Sequence, residues 1–137
     1  MLKAAVVGVG YFGKFHAEKL LKSGLADLVA VVDSIEQRAT EVGKRFNATA
    51  LTDFRQLPGL GVSCAVVSCT TSNHFSVASW LLANGIDVLI EKPMTTSIEE
   101  AQKLIELART HGRILQVGHL ERFNPAFTEL KKLLTRP

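Results

Sequence analysis

An apolar run, Leu2 to Val7, leads straight into Gly8-Val9-Gly10-Tyr11-Phe12-Gly13, and a helical pattern then continues from about Tyr11 to Ser23. Glycines are common in turns, so the spacing alone carries little weight. Its setting carries more. A continuous apolar stretch that ends in glycine reads as a strand buried on both faces, the kind that builds parallel sheets. Gly24 closes the helix as a C-terminal stop. Between such a strand and such a helix, Gly8 permits a tight turn. Gly10 lets a ligand approach the backbone, and Gly13 lets the helix pack close to the strand. The amides that open the helix, those of Tyr11 and Phe12 among them, then lack helical acceptors and lie at the positive end of the helix dipole.

The alternation continues along the chain. Leu28 to Val32 reads as a second strand, Ser34 to Phe46 as a second helix, and Ala48 to Leu51 as a short third strand. Ala65 to Ser68 is the fourth strand, Asn73 to Ala83 a helix closed by Asn84-Gly85, and Ile86 to Ile90 the fifth strand. Ser97 caps the clearest helix and Glu100 completes a capping box. Ile98, Ala101, Leu104, Ile105 and Ala108 fall on one face of that helix, which Gly112 ends. Ile114 to Val117 is a sixth strand and Asn124 to Leu134 a last amphipathic helix. Strands alternating with helices imply a parallel sheet covered on both faces by right-handed crossovers. The expected fold class is α/β, a Rossmann doubly wound six-stranded parallel sheet in a single domain, with strand order 3-2-1-4-5-6.

Composition narrows the possible partners. The 137 residues fit one domain, and 47% hydrophobic against 21% charged residues is an ordinary globular balance. A net charge of +3, with both signs spread along the chain and no aromatic stacking array, argues against a nucleic-acid partner. The basic residues near the end, Arg122, Lys131, Lys132 and Arg136, read as a solvated helix face. Cys64 and Cys69 form no Cys-x-x-Cys pair and read as small core or near-core residues of a reduced, cytoplasmic protein. The N-terminus lacks the pattern of a signal peptide, and no run reaches membrane-spanning length. No metal site is expected.

Asp33 ends the second strand, twenty residues after Gly13. A carboxylate there accepts hydrogen bonds from adenosine ribose hydroxyls and repels a 2′-phosphate. Strand, glycine turn, helix and acid in this register point to a dinucleotide with its pyrophosphate on the helix N-terminus. They favour NAD over NADP. Arg38 complicates that preference, because a nearby arginine can accommodate the phosphate. A full turn into the helix, it reads as a solvated or adenine-side residue. Two alternatives stay open, a sharp turn with no ligand and the glycine loop of a methyltransferase. The latter usually carries an acidic residue just before the first glycine, where this chain has Val7.

Glu91-Lys92-Pro93 stands at the carboxyl end of the fifth strand, the edge at which this fold places its ligand crevice. A lysine amine becomes a better base near another positive charge, such as a nicotinamide cation. It can then take the proton of a substrate hydroxyl as hydride leaves the carbon. A surface Glu-Lys pair is the alternative.

The motifs occur in a fixed order: Gly8-x-Gly10-x-x-Gly13-x-x-His16, Asp33, Thr70-Thr71-Ser72-Asn73-His74, Glu91-Lys92-Pro93, and Gly118-His119-Leu120-Glu121-Arg122-Phe123-Asn124-Pro125. Together, over the whole chain, they resemble the glucose-fructose oxidoreductase/inositol dehydrogenase (Gfo/Idh/MocA) family. The resemblance implies an NAD-dependent dehydrogenase of a sugar or nucleotide sugar, with Lys92 as catalytic proton acceptor. It implies a Rossmann domain followed by a larger α/β domain that binds substrate and mediates oligomerisation. By the same resemblance Glu91 helps hold the nicotinamide side, the Lys92-Pro93 bond is a candidate for the cis form, and Thr70, Thr71 and His74 border the cofactor. His74 also reads as a capping or packing residue, and His16 as a buried structural histidine. His119 faces the nicotinamide or substrate, or else packs. The family often carries proline where Thr70 stands, which leaves this loop less rigid here. The stretch from Gly118 to Pro125 resembles bacterial members that oxidise nucleotide-activated amino sugars, such as UDP-N-acetylglucosamine 3-dehydrogenases.

On this reading residues 1–120 form the NAD(P)-binding domain. Residues 121–137 begin the connection to a C-terminal substrate domain that is absent from this chain. The chain is then expected to bind NAD and to turn over no sugar alone. Apolar surface near the sixth strand and last helix is expected to drive weak homo-oligomerisation. The competing reading is a standalone NAD-binding or NAD-sensing module, in which Lys92 has no task.

Overall fold

The first strand, β1 (Leu2–Val7), is apolar throughout its second half because both of its faces are covered. Ala4, Ala5, Val6 and Val7 are each at most 4% exposed. In the computed structural model, which describes residues 1–134, β1 lies inside one parallel sheet of order β3-β2-β1-β4-β5-β6, the order expected. Arg136 lies outside the described residues. The other strands are β2 (Ala26–Val32), β3 (Thr49–Leu51), β4 (Cys64–Val67), β5 (Asp87–Ile90) and β6 (Leu115–Val117). Helices α1 (Tyr11–Ser23), α2 (Glu36–Phe46), α3 (Thr71–Ala83) and α4 (Ile98–Thr110) are the crossovers, and α5 (Pro125–Leu133) follows the last strand.

Alternate side chains of β1 enter different cores. Ala5 and Val7 join Leu81, Leu82 and Leu104 beneath α3 and α4, while Val6 joins Ala17, Val42 and Phe46 beneath α1 and α2. Each leucine so buried contributes roughly 1.5–3 kcal/mol. No helix among the described residues is long and apolar enough to cross a membrane.

The boundaries depart from expectation where polar groups redirect the backbone. β2 begins at Ala26, two residues before the apolar run, because Ala26 and the polar Asp27 pair with Leu2 and Lys3. α2 begins at Glu36 instead of Ser34, since Asp33 Oδ1 accepts the Ile35 N–H at 3.0 Å and holds the strand exit in a turn. Two 3₁₀ turns, Phe54–Leu60 and Leu120–Phe123, add to the elements that the sequence pattern predicts. The Asp53 side chain caps the first of them by accepting the Arg55 N–H.

Half of the expected capping box forms. Ser97 Oγ accepts the Glu100 N–H at 3.2 Å, but Glu100 Oε2 turns one residue further back, to the Thr96 N–H and hydroxyl. The buried stripe of α4 is also displaced. Leu104 and Ala108 are buried, whereas Ile98 and Ile105 are 74% and 42% exposed. At about 100° per residue, positions seven apart share a flank, and these two isoleucines share the one turned outward. Accordingly Leu104→Ala should lower stability by about 2–5 kcal/mol, and Ile105→Ala by less than about 1 kcal/mol. Urea unfolding of the two variants checks this, and equal losses would contradict the assignment of the stripe.

Candidate functional site

The carboxyl ends of β1, β2 and β4 open on a cleft of about 450 Å³, bordered by Gly8, Gly10, Asp33, Arg38, Cys69 and Thr70. Its floor depends on two close backbone approaches. Gly8 has φ +88°, and a β-carbon there would strike the Cys69 backbone. A β-carbon on Gly13 would fall on the Gly8 carbonyl oxygen. Both positions therefore exclude every side chain, and α1 starts directly above the end of β1. Gly10, by contrast, faces open space. It precedes α1 without a side-chain cap, so the first-turn N–H groups of Tyr11, Phe12 and Gly13 have no acceptor from the helix. Orphan amides above open space, at the positive end of a helix, fit a pyrophosphate.

Asp33 is 6% exposed, and its carboxylate is fully engaged. Oδ2 accepts the Val9 N–H at 3.1 Å, Oδ1 accepts the Ile35 N–H, and Arg38 Nη1 donates to both oxygens at 3.2 Å. A carboxylate has about four lone-pair sites, so none is idle. Arg38, read from the sequence as a solvated or adenine-side residue, keeps a partly exposed side chain at the cleft while its guanidinium turns back from α2 onto Asp33. It also borders a second recess, of about 610 Å³, together with Lys14 and Arg45.

The remaining predicted residues stand along the same edge of the sheet in different roles. Tyr11 and Phe12 are exposed at 75% and 61%. The Thr70 hydroxyl accepts from the Asn73 side-chain amide at 3.0 Å, and Thr71 is the first residue of α3. His74 does not line the cleft. It is 1% exposed, with Nδ1 3.0 Å from the Pro93 carbonyl and Nε2 3.1 Å from the Cys69 carbonyl. The Lys92–Pro93 peptide is cis, as the resemblance allowed. Glu91 bridges the partly buried His16 (2.7 Å, Oε1) and the Lys92 N–H (3.1 Å, Oε2). Lys92 itself is exposed, and among the described residues its amine makes no hydrogen bond or ion pair. His119 is exposed at the end of β6.

Residues 2–119 match the family model GFO_IDH_MocA, described as an oxidoreductase family with an NAD-binding Rossmann fold. The chain belongs to this family. Among curated Gfo/Idh/MocA-type relatives, a UDP-N-acetylglucosamine 3-dehydrogenase of Acidithiobacillus ferrooxidans is 34% identical over 131 residues, covering 96% of this chain and 41% of the relative. A scyllo-inositol 2-dehydrogenase (NAD(+)) of Bacillus subtilis is 31% identical over 134 residues, 96% of this chain and 39% of its own length. The chain thus spans about two fifths of these relatives. Of solved structures, GenD2 from gentamicin A biosynthesis, in complex with NAD, aligns with a TM-score of 0.94 at 33% identity, over 98% of this chain and 39% of that one. The A. ferrooxidans dehydrogenase aligns with a TM-score of 0.89 at 34% identity, over 96% and 43%.

Within this Gfo/Idh/MocA cleft, sequence reasoning missed Phe54 and Cys69. Phe54 follows the three-residue strand β3 and has no motif around it; its ring meets Trp80 edge-on at 5.5 Å. Cys69 reads from the sequence as a small core or near-core residue with no part in the cleft, and it is half-buried at the cleft wall. Burial pushes its thiol up, and the Asp33 carboxylate pushes the same way. Burial also raises Cys64, which begins β4 at the opposite edge of the sheet. Both should therefore alkylate slowly near neutral pH and faster as pH rises through their raised values. NAD should slow alkylation of Cys69 and leave Cys64 unchanged. Mass spectrometry of iodoacetamide-treated chain reads both rates, and equal protection of the two thiols would contradict the placement of the ligand.

Proposed function

We propose that the chain is the cofactor-binding half of an NAD-dependent dehydrogenase that oxidises a carbinol of a sugar or nucleotide sugar. The observation that carries this reading is the conjunction of unpartnered α1 amides, open space at Gly10 and an acidic side chain at the end of β2. The first-turn amides hold the pyrophosphate, and Asp33 receives the adenosine ribose hydroxyls as Arg38 yields its place on the carboxylate. When bound, NAD supplies the hydride acceptor. Lys92 holds an amine that is unengaged among the described residues just past β5, and in the proposed reaction that amine takes the hydroxyl proton of the substrate. A sensing module has no use for an amine there.

The names of the relatives favour a polyhydroxylated ring as substrate. The stretch Gly118 to Pro125 narrows that to a nucleotide-activated amino sugar. Residues 121–137 lead towards the substrate-binding part of the enzyme. Phe127 and Leu130 on α5 are about half exposed, and Leu133 is 77% exposed. Such an apolar face supports self-association. The composition and the unpaired cysteines support a cytoplasmic protein.

Calorimetric titration of the chain with NAD and NADP tests the reading. NAD should bind and be preferred. Asp33→Asn, which removes the charge and keeps one acceptor oxygen, should abolish the preference. Arg38→Ala should weaken NADP by about tenfold or more, the scale of a lost charged hydrogen bond, and NAD by much less. Sedimentation of the same sample should show association at millimolar protein. Absence of binding by either dinucleotide would overturn the assignment.

A further inference from the structure

The least expected contact at the carboxyl edge of the sheet joins residues 75 positions apart. His16 lies on α1, little more than a turn beyond the amides that open the helix. Its Nε2–H donates to Glu91 Oε1 at 2.7 Å, and the two side chains are 18% and 12% exposed. The other carboxylate oxygen accepts the backbone N–H of Lys92 at 3.1 Å. Gly118 gives the carboxylate its room, since a β-carbon there would come within 3.3 Å of Oε1. One carboxylate thus spans from α1 to the peptide of the lysine.

The other side of Lys92 is held as well. The Pro93 carbonyl faces Nδ1 of the buried His74 at 3.0 Å, and the second ring nitrogen of His74 faces the Cys69 carbonyl beside the cleft. The backbone is therefore anchored just before and just after Lys92, while among the described residues the lysine amine is unengaged. A residue needed only for surface charge gains nothing from such anchoring. A proton acceptor does, because a long flexible side chain reaches one point reliably only from a fixed base.

We propose that His16 is a positioning residue for Lys92: through Glu91 it ties the helix that receives the cofactor phosphates to the peptide that carries the lysine. The proposal rests on reading Lys92 as the proton acceptor. It adds a route by which nucleotide at the start of α1 steadies that lysine. Removing the imidazole leaves Glu91 free to swing to water and to release the Lys92 N–H.

Amide hydrogen exchange on the ligand-free chain tests this without relying on NAD binding. His16→Ala should speed exchange at the Lys92 amide by about five- to thirtyfold, the scale of one lost hydrogen bond. The amides of Val6 and Val31 in the central strands should be unchanged. His16→Gln, which keeps an N–H donor, should restore most of the protection. Glu91→Gln, nearly isosteric, has one acceptor oxygen for two donors and should speed Lys92 exchange even if His16→Ala folds poorly. Unchanged Lys92 exchange in His16→Ala and Glu91→Gln would overturn the proposal. So would an equal rise across the whole sheet, which marks a purely structural role. Failure of the chain to bind NAD would instead overturn the proposed function and leave this comparison standing.

Discussion

Gly13 lies so close to the Gly8 carbonyl that no β-carbon fits between them, and the geometry of the carboxyl edge follows from that approach. It lets α1 begin directly above the end of β1, so the orphan amides of the first turn meet open space and not a side chain. It also sets the axis on which His16 stands, and through His16 the carboxylate beside Lys92. The start of α1 and the peptide that carries Lys92 are thus parts of one packing arrangement.

Electrostatics completes that arrangement at Asp33. A nearly buried carboxylate is stable only when its lone pairs are used, and two backbone amides and Arg38 use them here. One of those amides, Val9, belongs to the glycine turn, so the group proposed to read the ribose also braces the loop beneath the pyrophosphate. Of these bonds the two from Arg38 are the most easily surrendered, because they come from a long, partly exposed side chain and the others from the backbone. The proposed preference for NAD over NADP accordingly rests on the Asp33–Arg38 pair, not on the acid alone.

Much of this was legible in the sequence because it is local. Strands buried on both faces are continuous apolar runs, which is why β1 and the strand order could be read from Leu2 to Val7 and its successors. Gly8, Gly10 and Asp33 are recognisable by spacing within one β-α-β unit. Boundaries slipped where a polar side chain outweighed the apolar pattern, as when Asp33 took the Ile35 amide and delayed α2. Partnerships across the fold were not legible. Nothing near His16 announces Glu91, and nothing near Phe54 places it at the cleft; both require the sheet to be assembled first. Ile105 misled for a related reason, since periodicity identifies a stripe but leaves its edges to the neighbouring elements.

The start of α1 is proposed to receive the phosphates of NAD. Titration of the ¹⁵N-labelled chain with NAD, followed amide by amide in NMR spectra, tests it most directly. The largest shifts are expected on Gly10, Tyr11, Phe12 and Gly13, with a second group at Ser34 and Ile35 beside Asp33. Saturable shifts confined to other surfaces, or none at all, would contradict it.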